Sequence, residues 1–208
     1  MTTVTIFPNT EVPAYLGVAD GTKVSQTQGT RFTVNVAGRA THIRWFVPTA
    51  TQPTDGLNGG QVVFGLHRVS DGALLGSTMV STLGFEGAWM EVALPAPITL
   101  TPGVAYQASI LTPERYVYRT GFTTASSSPG GELTSTAPPG RWANASTFTL
   151  ANGVEAGWNF YQDVRFELDA TPPAGPILTL WNGTAEVAAT ATVWNGASEV
   201  SAVLEIVA

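Results

Sequence analysis

The body of this chain is built from short alternating runs of apolar and polar residues, with turn-forming residues between them. Phe32, Val34 and Val36 alternate with polar neighbours, and Phe64 and Leu66 do so in a later run. Successive side chains of a strand point to opposite sides, so this alternation predicts half-buried β-strands. No window of helical length keeps an apolar period of 3.6 residues. The pattern predicts an all-β, antiparallel β-sandwich, with jelly-roll-like topology favoured over an immunoglobulin-like one.

Proline, glycine and serine mark the predicted ends of these strands. The triplet at residues 95–97, Pro-Ala-Pro, predicts a strand end, since proline donates no hydrogen bond to a ladder. Two long segments, residues 49–60 and 123–144, are rich in small and turn-forming residues and are predicted to be loops. Residues 170–176 are proline-rich. They predict a linker between a sandwich domain, residues 1–169, and a C-terminal segment, residues 177–208.

The C-terminal segment carries one turn sequence twice. Trp181-Asn182-Gly183 returns as Trp194-Asn195-Gly196. Asn-Gly favours a two-residue hairpin turn, because a type I′ turn needs positive φ at both central residues. The segment is therefore predicted to be a three-stranded β-meander in which Trp181 pairs with Thr184.

Alternation from these turns predicts that one face of the meander is aliphatic. The residues expected there to serve oligomerisation or anchoring are Leu178, Leu180, Val187, Val193, Val200, Leu204 and Ile206. A small sheet with one apolar face is marginally stable alone, and an exposed patch of that kind usually marks an interface. The face is expected to pack against copies of itself, with a trimer favoured, or against another protein. The alternative is that it packs back on the sandwich.

Composition argues against several classes of function. The chain has 208 residues, no cysteine and a formal net charge of −6. An acidic chain without a basic run is a poor candidate for binding nucleic acid. No apolar run reaches the roughly 18 residues of a membrane-spanning helix, so membrane insertion is not expected. The N-terminus lacks the basic and apolar regions of a secretion signal, and no such signal is expected.

The titratable residues show no recognisable catalytic or metal-binding pattern. The two histidines, His42 and His67, lie within predicted strands and are expected to be structural or at the surface. Glu91, Asp163 and Glu167 alternate outward from apolar residues, so a solvated face is expected for them. No metal-ligand spacing or nucleophile elbow is present. The protein is therefore expected to be non-enzymatic and without a cofactor or metal. A carboxylate pair or a Ser–His–acid triad stays open.

The aromatic residues late in the body are the candidate contacts for a glycan or a protein partner. Trp142, beside Arg141 at the end of the second predicted loop, is expected to be exposed. Tyr116 and Tyr118 also lie in or beside predicted loops, as does Trp158. Rigid aromatic side chains anchor interfaces and stack on sugar rings. The alternative is that these residues belong to the core or to a sheet edge.

Four stretches of the body together resemble a known family. They are residues 29–46 (GTRFTVNVAGRATHIRWF), 71–76 (DGALLG), 89–106 (WMEVALPAPITLTPGVAY) and 161–166 (YQDVRF). Over about residues 20–168 the chain resembles a bacterial family of domains of unknown function found in extracellular multidomain proteins. The resemblance implies a β-sandwich module, adhesive or carbohydrate-binding-like, without established catalysis. It carries over no binding residues.

The repeated Trp-Asn-Gly turn is similar to the C-termini of minor tail and other virion proteins from phages of actinobacteria. This resemblance implies a virion structural protein, most simply a minor tail or tail fibre component. It would be assembled in the host cytoplasm, would be extracellular after release, and would contact other virion proteins and a host surface glycan. The alternatives are a capsid decoration protein, a bacterial cell-surface carbohydrate-binding module and, least favoured, a cell-wall hydrolase.

Overall fold

The computed structural model describes residues 2–13, 15–19, 25–48, 61–82, 84–112, 115–145, 147–154, 157–169, 177–181 and 186–190. Of residues 15–19, 115–117, 177–181 and 186–190 it describes the backbone only. The predicted loop at residues 49–60, the linker, both Asn-Gly turns and the third strand of the meander lie outside the described residues. The chain divides into two compact units, Met1–Asp169 and Ala170–Ala208.

The first unit contains strands and no helix within its described residues. Its strands are β1 (Thr3–Val4), β2 (Tyr15–Ala19), β3 (Gln26–Val34), β4 (Gly38–Phe46), β5 (Gln61–Arg68), β6 (Leu74–Ser81), β7 (Trp89–Leu100), β8 (Ala105–Thr112), β9 (Arg115–Tyr118), β10 (Leu133–Asn144) and β11 (Gln162–Leu168). A four-stranded sheet has the order β1-β11-β4-β7, and a five-stranded sheet has the order β10-β3-β8-β5-β6. Strands β2 and β9 pair separately.

The pairing of these strands is that of a jelly roll. The first strand pairs with the last, β1 with β11, and the pairs β3–β8, β4–β7 and β5–β6 follow inward along the chain. All of these pairs are antiparallel. From β3 to β8 the chain alternates between the two sheets, except that β5 and β6 are neighbours in the five-stranded sheet. Strand β10 is added outside β3. The predicted antiparallel β-sandwich is confirmed.

The core lies between the two sheets, where the alternation predicted it. Ile43 and Trp45 of β4 and Phe64 and Leu66 of β5 are all 0% exposed. The rings of Trp45 and Phe64 meet across the core at 6.1 Å between centroids. Burial of large side chains from both sheets is the main stabilisation of such a fold. The faces that point away from this core are called the outer faces below.

Proline does not end the strands as the sequence predicted. Strand β7 continues to Leu100 through the Pro-Ala-Pro triplet. His42 pairs with Ala93 and Ala40 with Ile98, so residues 94–97 bulge out opposite Thr41. The prolines lie in the bulge, where no ladder hydrogen bond is required of them.

The second predicted loop is also partly wrong, because its last twelve residues form β10. Ser135 pairs with Phe32 and Gly140 with Thr30, so residues 136–139 form a bulge opposite Arg31. This bulge again contains two prolines. In β7 and in β10 alike, the prolines lie in a bulge of four residues opposite a single residue of the partner strand, and pairing resumes after the bulge.

The second unit contains the antiparallel strands β12 (Ile177–Trp181) and β13 (Glu186–Thr190). Trp181 pairs with Glu186 rather than with Thr184, so the predicted register is wrong by two residues. Side chains alternate with a period of two, so a shift of two leaves every residue on its predicted face. Leu178 and Leu180 still share one face with Val187, as the pairs Leu180–Val187 and Leu178–Ala189 show.

Candidate functional site

Two of the predicted contact aromatics form a stacked pair. The rings of Tyr118 and Trp158 lie 4.1 Å apart between centroids with an interplanar angle of 8°, and both side chains are half-buried. Arg119 and Asn159 form a bridge beside them, which fixes the two chain segments against each other. Sequence reasoning named both aromatics but did not foresee that they stack. Tyr116 lies on β9, and its side chain lies outside what the structure describes.

Arg141 serves the bulge of β10 instead of pointing to solvent. Its side chain is buried, and its guanidinium donates hydrogen bonds to the carbonyl oxygens of Pro138 (2.7 Å) and Gly140 (2.9 Å). Its Nη2 also lies 3.3 Å from Thr136 Oγ1. Burial lowers the pKa of Arg141, and Arg31 on the same face lowers it further. These contacts are structural, because they supply donors to carbonyl groups that the bulge leaves without ladder partners.

Trp142 is half-buried in β10, where the sequence predicted an exposed loop residue. It pairs with Gln28 of β3 on one side and with Gly153 on the other. A Cβ atom on Gly153 would lie 2.5 Å from the Trp142 carbonyl oxygen and 3.3 Å from its indole ring. Glycine at this position therefore permits the close approach of the two backbones.

An open cleft of about 370 Å³ borders Arg119. It is lined by Glu11, Arg119, Thr120, Gly121, Phe122, Thr124 and Ser126. Arg119 Nη1 donates to Glu11 Oε1 at 2.9 Å, and the guanidinium carbon lies 6.0 Å from the centre of the Phe122 ring. The cleft thus combines an ion pair, hydroxyl groups and an aromatic ring. Sequence reasoning named its neighbour Tyr118 but not Arg119 or Phe122, since the cleft joins segments about a hundred residues apart.

The strand carboxylate Asp163 is buried, and the prediction of a solvated face is wrong for it. Asp163 and Arg44 are both 0% exposed and form an ion pair of 2.9 Å between Oδ2 and Nη1. Glu91, which is half-exposed, lies on the other side of Arg44 at 3.0 Å from Nε. Burial raises the pKa of Asp163 to about 6, although Arg44 opposes this. Glu167, the third of these carboxylates, is half-buried on β11.

The Arg44–Asp163 pair lies on the outer face of the four-stranded sheet, beside an aromatic cluster. Phe46, Tyr161 and Trp89 contact one another there, with ring centroids about 6 Å apart, and Phe122 packs against Tyr161. The Arg44 guanidinium carbon lies 4.5 Å from the centre of the Trp89 ring, a cation–π contact. Residues 5–13 cover this face. A second open cleft, about 390 Å³, borders Glu91 and Arg165 there.

Tyr161 adopts a left-handed backbone conformation at the centre of this cluster, with φ of 59°. Such a conformation is costly for a bulky residue and persists where the surroundings fix it. Asn159 Oδ1 accepts the Tyr161 amide at 3.1 Å, and the Tyr161 carbonyl accepts the Phe46 amide at 3.1 Å. Burial raises the pKa of the Tyr161 hydroxyl to about 12, although Arg119 opposes this.

His67 is buried on the outer face of the five-stranded sheet. The sequence predicts that each histidine is either structural or at the surface, and His67 is structural. Its ring is 1% exposed and lies 4.9 Å from the Phe148 ring, between centroids. Its Nδ1 lies 3.3 Å from Ser109 Oγ. Burial lowers the pKa of His67 to about 4. His42 is half-buried, with Nδ1 3.0 Å from Thr41 Oγ1.

No three His, Asp or Glu side chains within the described part of the chain lie close enough to hold a metal ion. A search of the described residues finds no helix long and apolar enough to cross a membrane.

These observations define a jelly-roll β-sandwich with open surface clefts and a buried charge pair on one outer face, followed by a second unit that contains the antiparallel strands β12 and β13. Residues 10–162 match the family described as Domain of unknown function (DUF4082). The match covers more than half of the chain, and the chain belongs to this family. No curated protein matches the sequence.

Proposed function

We propose that this is a non-enzymatic structural and binding protein, in which the sandwich is displayed and the C-terminal unit assembles or anchors it. The observation that carries the proposal is the division of the chain into two compact units at Asp169 and Ala170. The first unit has its own two-sheet core. The described residues of the second unit form the antiparallel pair β12–β13, and a two-stranded pair of this kind is not expected to be stable by itself.

The assembly role is supported by the faces of β12 and β13. Their register keeps Leu178 and Leu180 on the face that carries Val187, and this face is aliphatic. Copies that bury these faces against one another would remove the apolar surface from water, which favours association. The proposed assembly is a homo-oligomer, with a trimer favoured.

Native mass spectrometry of the full chain and of residues 1–169 tests the assembly role. The full chain should be an oligomer and the shortened chain a monomer. Val187→Asp places a charge on the aliphatic face and should release monomers, because a buried unpaired charge is costly. Ala188→Asp is the matched control, because residue 188 is one position along the strand from Val187 and therefore belongs to the other face. Equal masses for the full and shortened chains would contradict the proposal.

The most concrete setting is a phage virion, in which the protein would be a minor tail or tail fibre component. The doubled Trp-Asn-Gly turn supports this setting, and an extracellular type of sandwich suits a particle surface. A capsid decoration protein and a bacterial cell-surface module are the alternatives. Proteomics of purified particles, followed by antibody labelling in electron microscopy, separates these alternatives. Label at the tail supports a minor tail or tail fibre component. Label on the capsid supports a decoration protein, and label on uninfected cells supports a cell-surface module.

For the displayed sandwich we propose a glycan contact at Arg119, Phe122 and the Tyr118–Trp158 pair. Guanidinium and hydroxyl groups bond to sugar hydroxyls, and aromatic rings stack on sugar faces. Glycan-array screening should give a ligand, and Tyr118→Ala should weaken its binding. Val36→Ala, at an exposed position in the turn between β3 and β4, is the control and should leave binding unchanged. Silence of the arrays would refute this contact.

A further inference from the structure

The outer face of the four-stranded sheet holds residues 5–11, here called the N-terminal segment. The buried pair of Arg44 and Asp163 forms hydrogen bonds with the backbone of this segment. Asp163 accepts the backbone amides of Ile6 at 3.2 Å and Phe7 at 3.0 Å, and Arg44 Nη1 donates to the Phe7 carbonyl at 3.0 Å. Arg44 Nη2 also donates to the Asn9 side chain. Hydrogen bonds from charged groups to backbone amides and carbonyls are strong, and they do not depend on the side chains of the segment that is held.

The aromatic cluster forms a pocket for one side chain of the segment. The Phe7 ring meets Phe122 edge to face, with centroids 6.2 Å apart, and lies 5.8 Å from Tyr161. Phe7 is 3% exposed. An aromatic side chain buried in an aromatic pocket is the typical anchor of a peptide in a groove.

Four residues later an acidic side chain is held at the end of the face. The Glu11 carboxylate accepts hydrogen bonds from Arg119 (2.9 Å) and from the Tyr161 hydroxyl (3.2 Å). The indole nitrogen of Trp89 donates to the Glu11 backbone carbonyl at 2.9 Å. This end therefore recognises both a negative charge and a backbone carbonyl.

The side chains that hold the segment come almost entirely from the family domain. Arg44, Trp89, Arg119, Phe122 and Tyr161 lie within the matched residues 10–162, whereas residues 5–9 precede them. The matched residues thus supply most of the face, and Asp163, one residue beyond the match, supplies the acceptor of the Ile6 and Phe7 amides. A buried ion pair is weak evidence for stabilisation by itself, because its desolvation offsets much of its Coulomb energy. Its directed contacts to backbone groups are better explained by recognition of a peptide.

We propose that this face is a peptide-binding groove, filled in each copy by its own N-terminal segment, and that it also binds this segment from a second copy of the chain. The recognised peptide bends at Ile6 and Phe7 and turns at Asn9 and Thr10, where the Glu11 amide donates to the Pro8 carbonyl at 2.9 Å. It carries an aromatic residue followed four positions later by an acidic one. Every contact described above is non-covalent and can be made by a segment supplied from outside. The groove does not involve the C-terminal strands, but it shares Arg119 and Phe122 with the proposed glycan contact. Its test measures peptide binding and the glycan test measures glycan binding, so failure of one is distinguishable from failure of the other.

The N-terminal segment of the same chain competes with any added peptide for the groove, and the test must remove this competition. A tethered segment has an effective concentration in about the millimolar range, so a free peptide competes poorly with it. Phe7→Ala in the full chain removes the aromatic anchor from the tethered segment and leaves the groove intact. A fluorescently labelled peptide of residues 2–12 then stands for the segment of a second copy.

Fluorescence anisotropy should show that this peptide binds the Phe7→Ala chain about tenfold or more tightly than the wild-type chain. A peptide with alanine in place of Phe7, and one with Glu11→Gln, should bind more weakly to the same variant. Thr10→Ala is the matched control chain, because Thr10 is exposed, and it should behave as wild type. If the folded Phe7→Ala chain fails to bind the peptide, or binds it no better than wild type does, the proposal is wrong.

Hydrogen exchange of the wild-type chain decides the question if the Phe7→Ala chain does not fold. A segment held in a groove opens without unfolding the sandwich, so the amides of Ile6 and Phe7 should exchange at least about tenfold faster than those of Ile43 and Trp45. Equal protection would mean that the segment opens only when the whole domain unfolds. That result would overturn the proposal.

Discussion

The buried histidine predicts how the stability of the sandwich depends on pH. In the unfolded chain a histidine titrates near 6.5, whereas burial lowers the pKa of His67 to about 4. Between these values the unfolded chain binds a proton that the folded chain does not. Stability from this group is therefore complete above about pH 6.5 and is lost as the pH falls toward 4. One pKa unit corresponds to about 1.4 kcal/mol, so the loss is at most about 3 kcal/mol.

Urea unfolding of the wild-type chain and of His67→Asn, between pH 7.5 and pH 4.5, measures this effect. The asparagine does not titrate, so the free energy of unfolding should fall less on acidification than in wild type. The difference between the two slopes cancels the carboxylates that both chains share. Phe148→Ala should also reduce the slope, because it uncovers the His67 ring and thereby removes the cause of the shift. Parallel pH profiles for wild type and His67→Asn would refute the reasoning.

Three further substitutions test the contacts on which the fold depends. Arg44→Met should lower the free energy of unfolding by about 3–5 kcal/mol at pH 7.5, because it leaves Asp163 buried without its partner. The loss should be smaller at pH 5, since the carboxyl group then protonates. Arg39→Met, which breaks an exposed pair, should cost less than about 1 kcal/mol. Gly140→Ala places a Cβ atom 2.6 Å from the Trp158 carbonyl and should cost about 1–3 kcal/mol in thermal or urea unfolding, and an unchanged midpoint would contradict this.

The candidate site was only partly predictable. Tyr118 and Trp158 were identified from the sequence as aromatic residues in or beside loops, and the structure brings them together. Arg141 was expected beside Trp142 at the end of a loop, but it is buried in a strand, and its guanidinium donates to carbonyl groups of its own bulge. The prolines and the glycine before Arg141 favoured a loop, but in the structure they belong to β10 and its bulge.

The groove escaped sequence reasoning because its parts are distant along the chain. Asp163 alternates with apolar residues, and that pattern correctly indicates that it points away from the sandwich core. Its amide partners on Ile6 and Phe7 lie 157 and 156 residues away. Only the folded chain shows that the N-terminal segment covers the outer face of the four-stranded sheet. No local sequence pattern predicts this contact.

The sequence alone determined the fold class and the face on which most strand residues lie. This follows from the period of two, which is a local property of an extended backbone. For the same reason the C-terminal strands kept their faces although their register is shifted by two residues. Tertiary structure alone decided that β7 and β10 continue through their prolines, which outer faces are covered and which charges are buried. These depend on pairing partners far along the chain, and the free energy of burial is set by all of them together.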